Sequence, residues 1–170
     1  MRVYLAGPDV FHADAARLGM RKKAICSKYG LTGVYPLDND LSFDGLSPFE
    51  QGIAIFQANA DLMRGCDAAI ANMTPFRGPS CDPGTAYEVG FMSGLGKPLA
   101  AYTNDPRPFT DRSTGLDTLT VERFGMVDNL MLDGAVHANG LEIIIHDGTD
   151  PFLDLDGFDL CCRRLADRLG

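Results

Sequence analysis

Short apolar runs alternate with stretches of helical periodicity from one end of the chain to the other, which leaves few folds open. Parallel strands need long crossovers, and a helix is the usual one, so this alternation predicts a parallel sheet covered by helices. Val3 to Ala6 reads as the first strand and ends in Gly7-Pro8. A helix is expected from about Asp14 to Tyr29, stopped by Gly30, then a short strand over Gly33 to Leu37 and a polar loop, Asp38-Asn39-Asp40. Ser47-Pro48-Phe49-Glu50 supplies an N-cap, a proline at the first helical position and a capping-box glutamate. Phe49, Ile53, Phe56, Ala60 and Met63 follow at helical spacing, and Gly65 marks the stop.

Asp67 to Met73 reads as a third strand. The loop TPFRGPSC then leads to Asp82-Pro83, a second capped start, and a helix to about Gly94. Pro98 to Thr103 is a fourth strand and Leu141 to Ile145 a fifth, with a final helix after Asp150-Pro151. Residues 104–125, with Asn104-Asp105-Pro106, Pro108 and Gly115, are polar and turn-rich, and a stretch of that kind in a compact domain is usually functional or mobile. The expected architecture is one α/β domain over residues 1–170, flavodoxin-like or Rossmann-like, with about five parallel strands flanked by helices.

Composition narrows the partners. The 170 residues fit one domain, and a net charge of -8 argues against a nucleic acid polymer, whose phosphates need a basic surface. No apolar run approaches the roughly 20 residues that span a bilayer, and the opening MRVYLAGPDVF has too short an apolar stretch for a signal peptide. The expectation is a cytoplasmic protein without a membrane partner. The five cysteines (Cys26, Cys66, Cys81, Cys161, Cys162) are odd in number and form no CxxC pair, so they imply reduced thiols rather than a zinc or disulfide framework.

In open α/β sheets, ligands bind beyond the carboxyl ends of the strands, near the switch in strand order. That rule selects Gly7 to Phe11, Asp38 to Asp40, Thr74 to Asp82 and the start of 104–125. None carries GxGxxG or a P-loop, so a dinucleotide or triphosphate is not indicated. CDPGTAYEVG is the most informative stretch. Asp82 at the helix start and Glu88 six residues on would lie about 120° apart around the helix and roughly 9 Å apart along it. Two carboxylates so placed can flank one small ligand, one attacking carbon while the other handles a proton, as in the cleavage of glycosidic bonds. Spacing alone leaves other roles open: Asp before Pro is also a routine N-cap, and Glu88 could be a solvated glutamate.

These residues resemble the nucleoside 2-deoxyribosyltransferases. The similarity runs from VYLAGPDVF through the YPLDND loop and CDAAIANMTPFRGPSCDPGTAYEVG to FGMVDNLML, four motifs in the family's order, and its spelling is closer to the purine-handling, protozoan-like branch than to the lactobacillus enzymes. By that resemblance Glu88 is the nucleophile, Asp82 contacts the base and assists proton transfer, and Tyr4 orients the nucleophile. Gly7, Pro8 and Phe11 line the nucleoside pocket, and Asp38 and Asn39 form the polar loop after the second strand. The family also places a polar residue of the second helix in the site; Asn59 and Asp61 both fit, with Asn59 favoured. Asn129 matches an asparagine that a neighbouring subunit lends to the sugar 5'-hydroxyl, although it could equally be a helix cap after Asp128. Lactobacillus-type enzymes end in a tyrosine that reaches an active site, whereas this chain ends Arg168-Leu169-Gly170, so that contact is not carried over.

The resemblance implies transfer of 2-deoxyribose between nucleobases by double displacement through a covalent deoxyribosyl-Glu88 intermediate. The partners would be 2'-deoxynucleosides and free nucleobases, the protein a homo-oligomer with shared sites, and no metal or organic cofactor would be needed. An enzyme of the same fold and nucleophile, a 2'-deoxynucleoside 5'-phosphate N-hydrolase, would instead need cations for a phosphate, and Arg77 alone lies near the mapped loops. A non-catalytic nucleotide-sensing module is a third possibility, but it would have little use for Glu88, Asp82 and Tyr4 together.

Overall fold

The computed structural model describes residues 1–113 and 119–169. Gly115, in the turn-rich stretch, and the terminal Gly170 lie outside the described residues. Five strands, β1 (Arg2–Ala6), β2 (Thr32–Val34), β3 (Ala68–Asn72), β4 (Leu99–Thr103) and β5 (Ile143–Ile145), form one all-parallel sheet in the order β2-β1-β3-β4-β5. The helices are α1 (Ala15–Lys28), α2 (Pro48–Arg64), α3 (Pro83–Gly94), the single turn α4 (Phe109–Arg112), α5 (Leu130–Ala138) and α6 (Asp156–Leu169). The strand order is that of the flavodoxin-like sheet, as expected, with its switch point between β1 and β3.

Successive strand residues point to opposite faces, and the two cores follow that period. Val3, Leu5, Ile70 and Tyr102 pack with Cys26 of α1 and Phe158, Cys162 and Leu165 of α6. Tyr4, Ala6, Ala69 and Ala71 face the other way, against Met63 of α2, Val89 and Met92 of α3 and Val136 of α5. No described helix is long and apolar enough to cross a membrane.

Four details differ from the sequence expectation. β2 ends at Val34 rather than Leu37, because Pro36–Asp38 closes a 3₁₀ turn in which the Asp38 carboxylate accepts the Tyr35 amide at 2.9 Å. α6 starts at Asp156, after a loop in which the Asp150 carboxylate accepts the Phe152 and Leu153 amides. α5 is an element the patterning does not reveal, its start capped by Asn129. The apolar stripe of α2 divides: Ala60 and Met63 are buried, whereas Phe49, Ile53 and Phe56 are 77%, 51% and 48% exposed.

Candidate active site

β1 and β3 end side by side at the switch point, and the segments that leave them make a cleft. After β1 the chain turns at Gly7 into a 3₁₀ turn, Pro8–Phe11. A β-carbon at Gly7 would stand 2.4 Å from Oδ2 of Asp9 and 2.9 Å from Cβ of Asn72, so glycine lets the turn close onto β3. After β3 the chain runs through Thr74 to Asp82, which caps α3: its Oδ2 accepts the Thr85 amide at 3.0 Å, with Pro83 in the first helical position. The third wall comes from the turn after β2 and from α2, tied together where the Asn39 amide donates to Asn59 Oδ1 at 3.2 Å and to the Pro36 carbonyl at 3.0 Å.

The cleft measures about 300 Å³. Its polar groups are Asn59, Asp82 and Glu88, and Val10, Phe11, Pro36, Leu37 and Ile55 supply apolar surface. Glu88 is half-buried. The period of β1 turns Tyr4 toward α3, where its buried hydroxyl donates to Oε1 of Glu88 at 2.6 Å. Burial pushes the Glu88 carboxyl up to about 7; the Tyr4 hydrogen bond opposes the rise and the negative charge of Asp82 adds to it. Burial, with the neighbouring Glu88 charge, also drives the Tyr4 phenol far above its ordinary range, so it remains a donor. A carboxylate that ionises near neutrality, held by a fixed donor and sharing a partly apolar cleft with a second carboxylate of the same helix, can attack carbon while the other group moves a proton.

Gly7, Phe11, Asn59, Asp82 and Glu88 thus share one cleft, with Tyr4 directly behind Glu88. Pro8 is buried in the turn beneath it. Five further residues lie outside this lining, and of these Asn39 only braces the wall through its bond to Asn59. Asp38 is engaged with the Tyr35 amide and the Lys23 ammonium, in a smaller depression of about 220 Å³ on the α1 side. Asp61 is exposed on α2 and paired with Arg64 at 2.8 Å. Arg77, at a left-handed φ of 55°, lays its guanidinium over the rings of Phe76 and Phe11, with centroids 4.6 and 5.2 Å away. Asn129 is exposed and accepts the Met131 amide at 3.0 Å, the helix-cap role.

Two anchoring groups have no counterpart in the sequence reading. Buried Asp128 accepts the Cys81 amide at 2.7 Å and the Ser80 hydroxyl at 2.5 Å, which fixes the approach to Asp82. Buried Lys22 pairs with Asp9 at 2.5 Å behind the Gly7 turn. Lys22 carries a legible signal: it falls on the inward stripe Ala15, Leu18, Gly19, Cys26 of α1, where an ammonium must find a buried acid.

Comparison with known proteins identifies the family and the fold. The sequence pattern of the family described as nucleoside 2-deoxyribosyltransferase matches residues 3–131. An uncharacterized protein of Schizosaccharomyces pombe is 34% identical over 164 residues, 81% of this chain and 78% of that protein. A 2-deoxyribosyltransferase from Leishmania mexicana superposes with a TM-score of 0.73 at 32% identity, over 99% of both chains. A 2-deoxyribosyltransferase from Bacillus psychrosaccharolyticus shares the fold, with a TM-score of 0.55 at 20% identity over 80% of this chain and 82% of that one. The chain belongs to the nucleoside 2-deoxyribosyltransferase family.

Proposed function

We propose that this chain transfers 2-deoxyribose between nucleobases by double displacement at Glu88. The observation that carries the reading is the Tyr4–Glu88 hydrogen bond at the edge of the cleft, with Asp82 on the same helix start. Tyr4 occupies Oε1, which leaves Oε2 to attack the anomeric carbon as the bond to the base breaks. The departing base takes a proton delivered through Asp82, whose Oδ2 caps α3 and whose Oδ1 accepts no hydrogen bond among the described residues. An ester joins the deoxyribose to Glu88; an incoming base then displaces the carboxylate and returns its N–H proton to Asp82, and two inversions give net retention. A substrate without a 2'-hydroxyl forms the oxocarbenium-like transition state more easily and leaves room beside the nucleophile. The rings and aliphatic chains of Phe11, Leu37 and Ile55 suit the flat face of a base.

The same reading makes the protein a cytoplasmic homo-oligomer that recycles or degrades deoxynucleosides, with Asn129 lent to a neighbouring site. The exposed Phe49, Ile53 and Phe56 support the oligomer, since they continue into Tyr87 and Phe91 of α3 as one apolar face.

Incubation with deoxyinosine, first alone and then with adenine, tests the proposal. Deoxyadenosine formed only when adenine is present is the expected result. Free hypoxanthine at the same rate in both incubations would make the protein an N-hydrolase, and no turnover of either nucleosides or nucleotides would leave a sensing role.

A further inference from the structure

We infer that Lys22, Asp9 and Asn72 form a buried positioning network that sets the width of the cleft between the Gly7 turn and the β3 exit. The inference rests on the function proposed above and assigns a task to groups that touch no substrate. The Lys22 ammonium is 1% exposed and donates to Asp9 Oδ2; Asp9 Oδ1 accepts from the Asn72 amide at 3.2 Å. Asn72 Oδ1 accepts the Thr74 amide at 3.0 Å, and Thr74 Oγ1 accepts the Asn104 amide at 3.0 Å. One continuous chain of bonds therefore links α1 to the exits of β1, β3 and β4, and so spans the switch point between β1 and β3.

Burying an ion pair is a poor route to stability, because apolar residues of similar volume usually serve as well or better. What a buried polar network adds is one defined arrangement of the groups it joins. Here those groups are the two cleft walls. Asp9 lies between the cleft residues Gly7 and Val10, and Oδ2 of Asp9 is the atom that a β-carbon at Gly7 would strike. The ammonium is closed off from water by the rings of Phe158 and Tyr102, with centroids 5.2 and 5.7 Å away, so the pair keeps its geometry without solvent competition. Phe11, at the end of the same turn, then meets Phe76 of the segment that leaves β3 as a stacked pair with centroids 5.3 Å apart.

The test removes both charges together, because removing one strands the other in the core. Lys22→Met combined with Asp9→Asn is expected to melt cooperatively. It should lower kcat/KM on deoxynucleosides roughly 10–100-fold, mostly through KM, since misplacing a wall by about 1 Å can cost that much. The acid limb of the pH profile should stay in place, because Tyr4 and Glu88 are untouched. Hydrogen exchange should quicken at the His12 and Thr74 amides while Leu5 and Met92 remain protected. Asn72→Ala, which keeps the ion pair, is expected to quicken the same two amides, and it decides the matter if the double variant does not fold. Wild-type kcat/KM with wild-type exchange in these variants, or exchange that quickens evenly through the whole chain, would overturn the inference. If the wild type turns over no deoxynucleoside, the proposed function fails, while the exchange pattern still judges the network.

Discussion

The Tyr4 hydroxyl stands 2.6 Å from Oε1 of Glu88 and joins the first strand of the sheet to a helix residue 84 positions further along. The pair places an acid and its hydrogen-bond donor where burial and ionisation compete. Burial raises the carboxyl to about 7, and Tyr4 keeps it from rising further. A nucleophile must be the carboxylate, so kcat/KM should rise with pH through about 7 and fall about tenfold for each unit below it. Tyr4→Phe removes the lowering contribution and should move that limb to higher pH by about one unit. A Tyr4→Phe profile that overlays the wild type would show that the hydroxyl does not govern Glu88.

The same shift has a consequence for stability, with opposite sign to activity. The folded-state carboxyl is raised above its ordinary value of 4.5, so the folded protein holds the proton more tightly than the unfolded chain. The associated stability is complete below about 4.5 and is lost as pH rises through about 7. Glu88→Gln cannot ionise and should therefore be more stable than wild type at pH 8, by roughly 1–3 kcal/mol, with the difference vanishing near pH 4. It should also be inactive. Denaturant melts at the two pH values check the first statement and the transfer assay the second.

Much of this site was open to a reading of the sequence, but unevenly, and the reasons are physical. Asp82-Pro83 and Ser47-Pro48-Phe49-Glu50 are local signals, so the starts of α3 and α2 follow from a few adjacent residues. The Tyr4–Glu88 bond depends on strand order and on which face of β1 meets α3, and only the family resemblance supplied it. The α2 stripe illustrates a further limit. Periodicity reveals that Phe49, Ile53 and Phe56 share a face, yet it cannot say whether that face meets the protein's own core or another surface. β2 ends three residues before the apolar run Val34-Tyr35-Pro36-Leu37 does, because the Asp38 side chain, bonding back to the Tyr35 amide, turns the chain away.

Asp82 has two roles to separate, since it both caps α3 and lines the cleft. Asp82→Asn retains a capping oxygen but cannot supply a proton. It should slow base departure by roughly 10²–10⁴-fold, most for bases that leave protonated, with little change in melting temperature. Asp82→Ala loses the cap as well, at about 1 kcal/mol. Full activity of Asp82→Asn on deoxyadenosine would reduce Asp82 to a helix cap.

The exposed aromatic face should be where copies of the chain meet. Phe49→Glu and Phe56→Glu replace residues that are 77% and 48% exposed, so neither should unfold the subunit. Each should lower the sedimentation coefficient toward that of a monomer at micromolar concentration, because a charge facing its own copy is desolvated without a partner. Unchanged sedimentation in both would place the contact elsewhere or remove it.

Asn129 brings the subunit boundary and the chemistry together. Its side-chain oxygen caps α5 through the Met131 amide, and the adjacent Asp128 holds Ser80 and Cys81 just before Asp82 of its own chain. The residue proposed to serve a neighbouring site is thus fixed to the frame of its own. Asn129→Ser keeps a capping oxygen while shortening the side chain, so it separates loss of the cap from loss of reach. It should weaken use of 2'-deoxynucleosides by about 0.5–1.5 kcal/mol, roughly twofold to tenfold in kcat/KM, and spare 5'-deoxy analogues that lack the hydroxyl it would bind. A bulkier Asn129→Leu should be close to inactive. Mixed with inactive Glu88→Ala, it should then recover activity, because a hybrid oligomer regains sites with both an intact Glu88 and an intact neighbouring Asn129. Absence of recovery after subunit exchange, established by mass spectrometry of the hybrids, would confine Asn129 to its own chain as a helix cap.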